Sequence, residues 1–280
     1  MTALLARRPT RGGLLRKLAL CAWVCLTVPT TLSAQDLPRS TAFPGSAWVA
    51  IGNVGPAEPD NLLGMASFEQ GVTAWESGPW FLVPFVGASM GTDSAGYAWN
   101  NRHPVQLSVK LVRRVRGGVL QAGGGVLFEH DPATGQQTHG TVFANYWSGW
   151  TADRHTHRGG TFVGFPGHAY ASSGLTSGRD PQNWLTALTA QQGVLIFKSQ
   201  VVSVVPYGAA GLTFDSRRRT WENRLTYDAG IKIVRPLIGG VVEAGVAGRR
   251  QHELLTGRVD SGPVAYVNLW VGWNPRSVYR

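Results

Sequence analysis

Beyond residue 34 this chain has no cysteine. Cys21 and Cys25 are its two cysteines, and both precede Gln35. Residues 35–280 therefore form no disulfide and do no thiol chemistry, and the fold must be held by packing and hydrogen bonding alone. Helical periodicity is also missing past the first segment. The apolar run at 18–28 is about 11 residues long, too short to cross a bilayer as a helix. No phosphate loop or dinucleotide fingerprint occurs. His155 and His157 lack the cysteine or carboxylate pair that would complete a metal site, so neither metal nor cofactor is expected. Acidic residues are scarce, 16 against 26 lysines and arginines.

Part of that imbalance belongs to the first 34 residues. Arg7, Arg8, Arg11, Arg16 and Lys17 form a basic region ahead of the apolar run, and Ser33-Ala34 makes a small-residue end before Gln35. This is the pattern of an export signal over residues 1–34. Leu20 and Val24 stand where a lipoprotein cysteine needs a small residue. The remaining chain carries 21 basic and 16 acidic residues, a net +5. On an exported protein, a modest positive balance argues against nucleic acid as a partner and suits anionic lipid, lipopolysaccharide or acidic polysaccharide.

What the chain does have is a repeat with a period of 122 residues. Phe43-Pro44-Gly45 returns as Phe165-Pro166-Gly167, and Gln70-Gly71-Val72 as Gln192-Gly193-Val194. Asp93, Trp99, Asn101 and Arg102 return as Asp215, Trp221, Asn223 and Arg224. One inserted residue later, Asn145, Trp147, Gly149 and Trp150 return as Asn268, Trp270, Gly272 and Trp273. A period this long exceeds a solenoid unit and marks two copies of one multi-strand half. The copies span about 43–150 and 165–273, with a linker at 151–164, inside a single domain over 35–280.

Each copy divides into six segments, at 43–54, 61–75, 80–91, 102–114, 118–129 and 140–150, repeated 122 or 123 residues later. The fourth alternates most clearly: Val105, Leu107, Val109 and Leu111 oppose Gln106, Ser108 and Lys110. Its second copy sets Tyr227, Ala229, Ile231 and Ile233 against Asp228, Gly230 and Lys232. Segment two alternates poorly and puts Gln70 and Gln192 on the apolar side. Pro84 and Pro206 fall in mid-strand and require a bulge. Connections read as long, short, long, short, long in each copy, as in a membrane barrel with long loops on one side. The expected fold is all-β: an antiparallel transmembrane β-barrel of about 12 strands from two tandem six-strand repeats.

Inward positions on that reading are Lys110, Lys232, Gln121, Glu243, Asn145 and Asn268, which would line a lumen and tune ion selectivity. A plugged interior, with lysine and glutamate neutralising each other, fits the same residues. Asp93 with Arg102, and Asp215 with Arg224, bracket a long loop in each copy and are placed to pair and hold it at the mouth. Trp150 and Trp273 end their copies on the apolar face, where an interfacial aromatic girdle sits. Arg113, Arg114, Arg116 and Arg235 cluster near turns, and Arg217-Arg218-Arg219 near a loop that faces outward. His130 and His252, beside Glu129 and Glu253, would serve a barrel lipid hydrolase only with a nucleophilic serine, which no spacing picks out.

Val205-Pro206-Tyr207, Asp215-Ser216, Trp221-Glu222-Asn223-Arg224, the run 239–245 and the closing Asn268-Leu269-Trp270-Val271-Gly272-Trp273 resemble barrel domains at the C-termini of exopolysaccharide-export and phage-adsorption outer-membrane proteins. The resemblance implies an outer-membrane location and a passive, non-enzymatic role. That role is a porin-like conduit or a component of surface polysaccharide export, with a polysaccharide or a periplasmic export protein as partner. The alternatives are an outer-membrane lipid-modifying barrel enzyme and a secreted soluble β-sandwich that binds a partner.

Overall fold

The computed structural model describes residues 43–96, 101–131, 135–150, 153–155, 162–175, 183–199, 201–220 and 222–273. The expected export signal, Trp99, Trp221, His157 and the side chains of His130 and His155 lie outside the described residues. Twelve long strands follow in chain order. The first copy contributes β1 Gly45–Gly55, β2 Glu58–Gly71, β3 Trp80–Asp93, β4 His103–Val115, β5 Gly118–Asp131 and β6 Gly135–Trp150. The second contributes β7 Gly167–Leu175, β8 Trp184–Gly193, β9 Ser203–Asp215, β10 Arg224–Leu237, β11 Gly240–Glu253 and β12 Val259–Trp273. Each pairs antiparallel with its chain neighbours, and β12 returns to pair with β1. The twelve long strands thus close into a barrel in which each has a strand partner on both sides.

Alternation decides which face is which. Leu107 on β4 is 48% exposed, with Val105, Val109 and Leu111 similar, while Lys110 on the opposite face is 6% exposed. On β10, Tyr227, Ile231 and Ile233 are exposed and Lys232 is buried. The apolar face therefore points out and the charges point in, the reverse of a water-soluble barrel. Glycines on the inner face make room for rings: a Cβ on Gly123 would sit 2.8 Å from the Phe143 ring, and one on Gly245 2.8 Å from Tyr266. Phe143 meets Phe85 edge-on at 6.0 Å, and Tyr266 meets Tyr207 at 6.4 Å, the same aromatic pair in each copy.

The two copies join at two seams with one register. Gly45 faces Trp273 across β1–β12, and Gly167 faces Trp150 across β7–β6. Both prolines sit where the expected bulge forms. Gly71 faces Phe85, whereas Trp75 in the short strand Trp75–Ser77 faces Leu82, so the three residues 72–74 are set against the two residues Val83 and Pro84. The Pro84 carbonyl accepts from the Val72 N–H on this irregular side, at 3.0 Å. The donor that proline lacks would point the same way, so the ladder to β4 stays whole. Pro206 repeats this with Val194 at 2.9 Å, beside the short strand Phe197–Lys198.

The connections depart from the expected alternation. The supposedly long link between the first two strands is a two-residue turn at Pro56-Ala57, and that between β5 and β6 spans only 132–134. On the opposite rim, 72–79 and 194–202 are longer than expected and carry the short strands. Segment six starts at Gly135, not 140, because Gln137 and His139 alternate with exposed residues and extend the ladder. Within the expected linker, Asp153–His155 and Phe162–Gly164 form a small hairpin of their own.

Candidate functional site in the barrel interior

Both inward lysines are buried between a carboxylate and a ring. Lys110 bonds Glu69 on β2 and lies over Phe85, 4.8 Å from its centroid. Lys232 donates to Glu243 at 2.8 Å and to Gln191 at 3.0 Å, with the Tyr207 ring 5.7 Å away. Burying an ammonium is expensive unless it is paired, and each lysine has found an acid. Positions 69 and 191 are equivalent in the repeat, as are 121 and 243. The first copy therefore carries Glu69 and Gln121, and the second carries Gln191 and Glu243. Gln121 faces Asn145, and Glu243 faces Asn268, on the next strand.

Glu69 was not among the residues picked out from the sequence. Segment two alternates poorly because Leu63 and Met65 share the inner face with it, which hides the polar side. The acid–amide exchange between copies was the available signal.

At the rim where residues 94–102 and 216–223 connect their strands, the sequence set aside two aspartates and two arginines. Asp93 accepts from Asn101 Nδ2 at 3.2 Å and from Asn61 Nδ2 at 3.5 Å. Asp215 accepts from Asn183 Nδ2 at 3.0 Å, from Asn223 Nδ2, and from the Arg219 N–H at 2.8 Å. Asn61 and Asn183 are themselves equivalent, and each accepts from a serine hydroxyl, Ser94 or Ser216, at 3.2 Å. Each loop is thus tied back by an asparagine–aspartate–serine–asparagine box. The two box asparagines at 61 and 183 went unnoticed because they sit at a segment boundary.

The arginines reach elsewhere. Arg102 Nε lies 3.6 Å from Glu129, whose side chain is 1% exposed and whose other oxygen is 3.9 Å from His139 Nε2. Arg224, the equivalent of Arg102, has Gln251 where Glu129 stands in the first copy. Among the described residues Arg224 makes no hydrogen bond or ion pair; its electrostatic neighbours are Arg249 and Glu222. Arg249 is engaged bidentately by Asp228 at 2.8 and 2.7 Å. Burial, reinforced by the Asp215 charge, pushes the Glu222 carboxyl above its ordinary pKa.

A cavity of about 360 Å³ opens at this level of the interior, lined among others by Arg102, Phe143, Asn145, Ser172, Arg219 and Glu222. Two of these come from the 216–223 loop, so that loop bends into the barrel. Toward the other rim the inner face becomes aromatic. Trp48 faces Trp270 across one seam, and Tyr170 faces Trp147 across the other. Trp147 is 46% exposed to the interior and Trp270 37%.

Trp150 and Trp273 face outward at the seam ends. Each indole N–H donates to a glutamine at 2.9 Å, Trp150 to Gln192 and Trp273 to Gln70. That accounts for the outward glutamines of segment two: each satisfies an indole donor and reaches a backbone carbonyl with its own amide. Arg113 stacks over Trp80 and Arg114 over Phe81, at 4.9 and 4.7 Å. His252 points outward against Tyr227, ring centroids 6.3 Å apart, while Glu253 faces inward, so that pair does not converge.

No family model matches this chain, and neither does any curated protein. Solved structures with some similarity include the β domain of the Bordetella autotransporter BrkA (14% identical, 82% of this chain and 98% of that one, TM-score 0.37). An outer membrane channel from Pseudomonas putida F1 is 10% identical over 86% of this chain and 98% of its own, with a TM-score of 0.42. The transport unit of the autotransporter AIDA-I from Escherichia coli is 12% identical over 96% and 100%, with a TM-score of 0.35.

Proposed function

We propose that the barrel sits in an outer membrane and acts as a passive, porin-like conduit, with lipid and lipopolysaccharide against its outer wall. The observation that supports this is the inverted pattern of β4 and β10: exposed Leu107 and Ile231 outside, ion-paired Lys110 and Lys232 inside. Twelve strands enclose a narrower bore than the 16–18 of large porins, so the cargo is a small solute or a single extended chain. The narrower form of the proposal is a component of surface polysaccharide export. The inward rings of Trp48, Trp147, Tyr170 and Trp270 favour it, because aromatic faces offer apolar platforms to sugar rings. No catalytic role is proposed. Purified protein in planar bilayers is expected to give discrete conductance steps in potassium chloride. Sealed bilayers at protein levels where the folded barrel has inserted would overturn the conduit.

A further inference from the structure

We infer that Arg113 and Arg235 are two matched sites on the outer wall for the phosphate of an anionic glycerophospholipid; this rests on the membrane placement of the conduit reading. The two residues are equivalent in the repeat, on β4 and β10, and both are exposed. Alternation puts them on the apolar outer face, in line with Leu111 and Ile233. Across the ladders Arg113 faces Trp80 and Leu120, and Arg235 faces Val242. Inside the barrel Lys110, Lys232 and Arg249 each take an acid. Outside, these two neighbourhoods contain none, and among the described residues neither arginine makes a hydrogen bond or ion pair. A cation on a lipid-facing wall is tolerated best at headgroup level, where its aliphatic stem stays in the apolar layer. Strand length places Arg113 at that level. Val105, Leu107, Val109 and Leu111 separate it from His103 at the opposite rim, a stretch of about the 9–11 tilted residues that cross a hydrocarbon core. Ala229, Ile231 and Ile233 separate Arg235 from Tyr227 in the same way. The Arg113 guanidinium lies over the Trp80 ring, 4.9 Å from its centroid, which supports its flat face and leaves the in-plane donors free. Val202 stands at the position equivalent to Trp80. A free guanidinium fork donates two parallel hydrogen bonds to a phosphate. The ladder neighbours include no second basic residue, so each site offers one guanidinium to one phosphate, as phosphatidylglycerol carries, and not to the pair on lipid A.

Native mass spectrometry of the full-length chain, folded in detergent and titrated with phosphatidylglycerol, phosphatidylcholine or lipid A, tests the pair. One basic residue near an anionic headgroup favours it by about fivefold, so phosphatidylglycerol is expected to bind about that much more tightly than phosphatidylcholine, with two molecules in the preferred class. Arg113→Gln and Arg235→Gln are each expected to remove one of the two, and the double variant both. Leu120→Glu and Val242→Glu, which set an acid across the ladder from each arginine, are expected to do the same while keeping the guanidinium, so misfolding of a glutamine variant does not decide the matter. Arg258→Gln, which removes a charge from a turn, is expected to leave both lipids bound. Equal affinity for phosphatidylglycerol and phosphatidylcholine in the native chain overturns the sites, as does a preference that survives both the double glutamine variant and the two glutamate variants. Lipid A that displaces phosphatidylglycerol overturns the glycerophospholipid assignment. A chain that retains none of the three lipids sinks the membrane placement itself, whereas a phosphatidylglycerol preference without conductance sinks the conduit and leaves the sites.

Discussion

The two halves of the barrel share a backbone and differ in where they place their acids. Their seams have one register, their prolines one bulge, their loops one asparagine–aspartate–serine–asparagine box. Inside, Glu69 and Gln121 of the first half answer to Gln191 and Glu243 of the second, and Glu129 and Gln137 to Gln251 and Asp260. In each case acid and amide have changed places between equivalent positions. The exchange shows that the fold demands one carboxylate beside each buried lysine and is indifferent to which neighbour supplies it. It is not indifferent at Arg102 and Arg224. There the moved acid, Asp260, lies 3.0 Å from Arg258 in the second half, and the electrostatic neighbours of Arg224 are Arg249 and Glu222.

The largest expected effect tests what the halves share. Leu107→Arg and Ile231→Arg place a charge on the outer face of matched strands, and each is expected to cost about 2–4 kcal/mol near a bilayer midplane. Unfolding in lipid vesicles checks this, and a small cost for either would set the two halves apart on the outside as well. Next comes the exchange itself. Glu69→Gln alone leaves Lys110 without its acid and is expected to cost about 1–3 kcal/mol. Adding Gln121→Glu copies the second half's arrangement and is expected to restore most of that loss in a double-mutant cycle.

Smaller again is the seam bond. Trp150→Phe and Trp273→Phe each remove one indole–glutamine hydrogen bond and are expected to cost about 0.5–1.5 kcal/mol, equally at both seams. The smallest effect separates the loops. Glu222 has a raised pKa in the folded protein, so its contribution to holding the 216–223 loop is complete below its unfolded pKa. That contribution is lost as pH rises through the folded value. Proteolysis within this loop is therefore expected to quicken modestly from acid toward neutral pH. Glu222→Gln is expected to flatten the trend, and the first half, with Asn100 at the equivalent position, is expected to show none.

Strand identity was legible wherever side chains alternate cleanly, as from Val105 through Leu111, and the repeat carried that reading to weaker strands. The inward lysines were legible for the same reason. Connection lengths were not, because polar residues such as Gln137 and His139 look like loop yet lie on an inner wall that is itself polar. Glu69 was hidden for the opposite reason, because Leu63 and Met65 put apolar residues on its stretch of the inner face. A barrel with a polar interior removes the composition contrast between strand and loop that soluble proteins provide. Arg102 and Arg224 were found as loop brackets, but their surroundings depend on Glu129 and Gln251, which lie one strand over and 27 residues away in sequence. The β4–β5 and β10–β11 pairings bring them together.

Gel mobility of the outer-membrane fraction in detergent, boiled against unboiled, tests the central claim most directly. A closed membrane barrel resists the detergent until heated, so the unboiled protein is expected to run at a shifted position that boiling abolishes. Recovery of the protein from the soluble periplasmic fraction, with one mobility under both conditions, would contradict the membrane barrel and everything proposed for its interior.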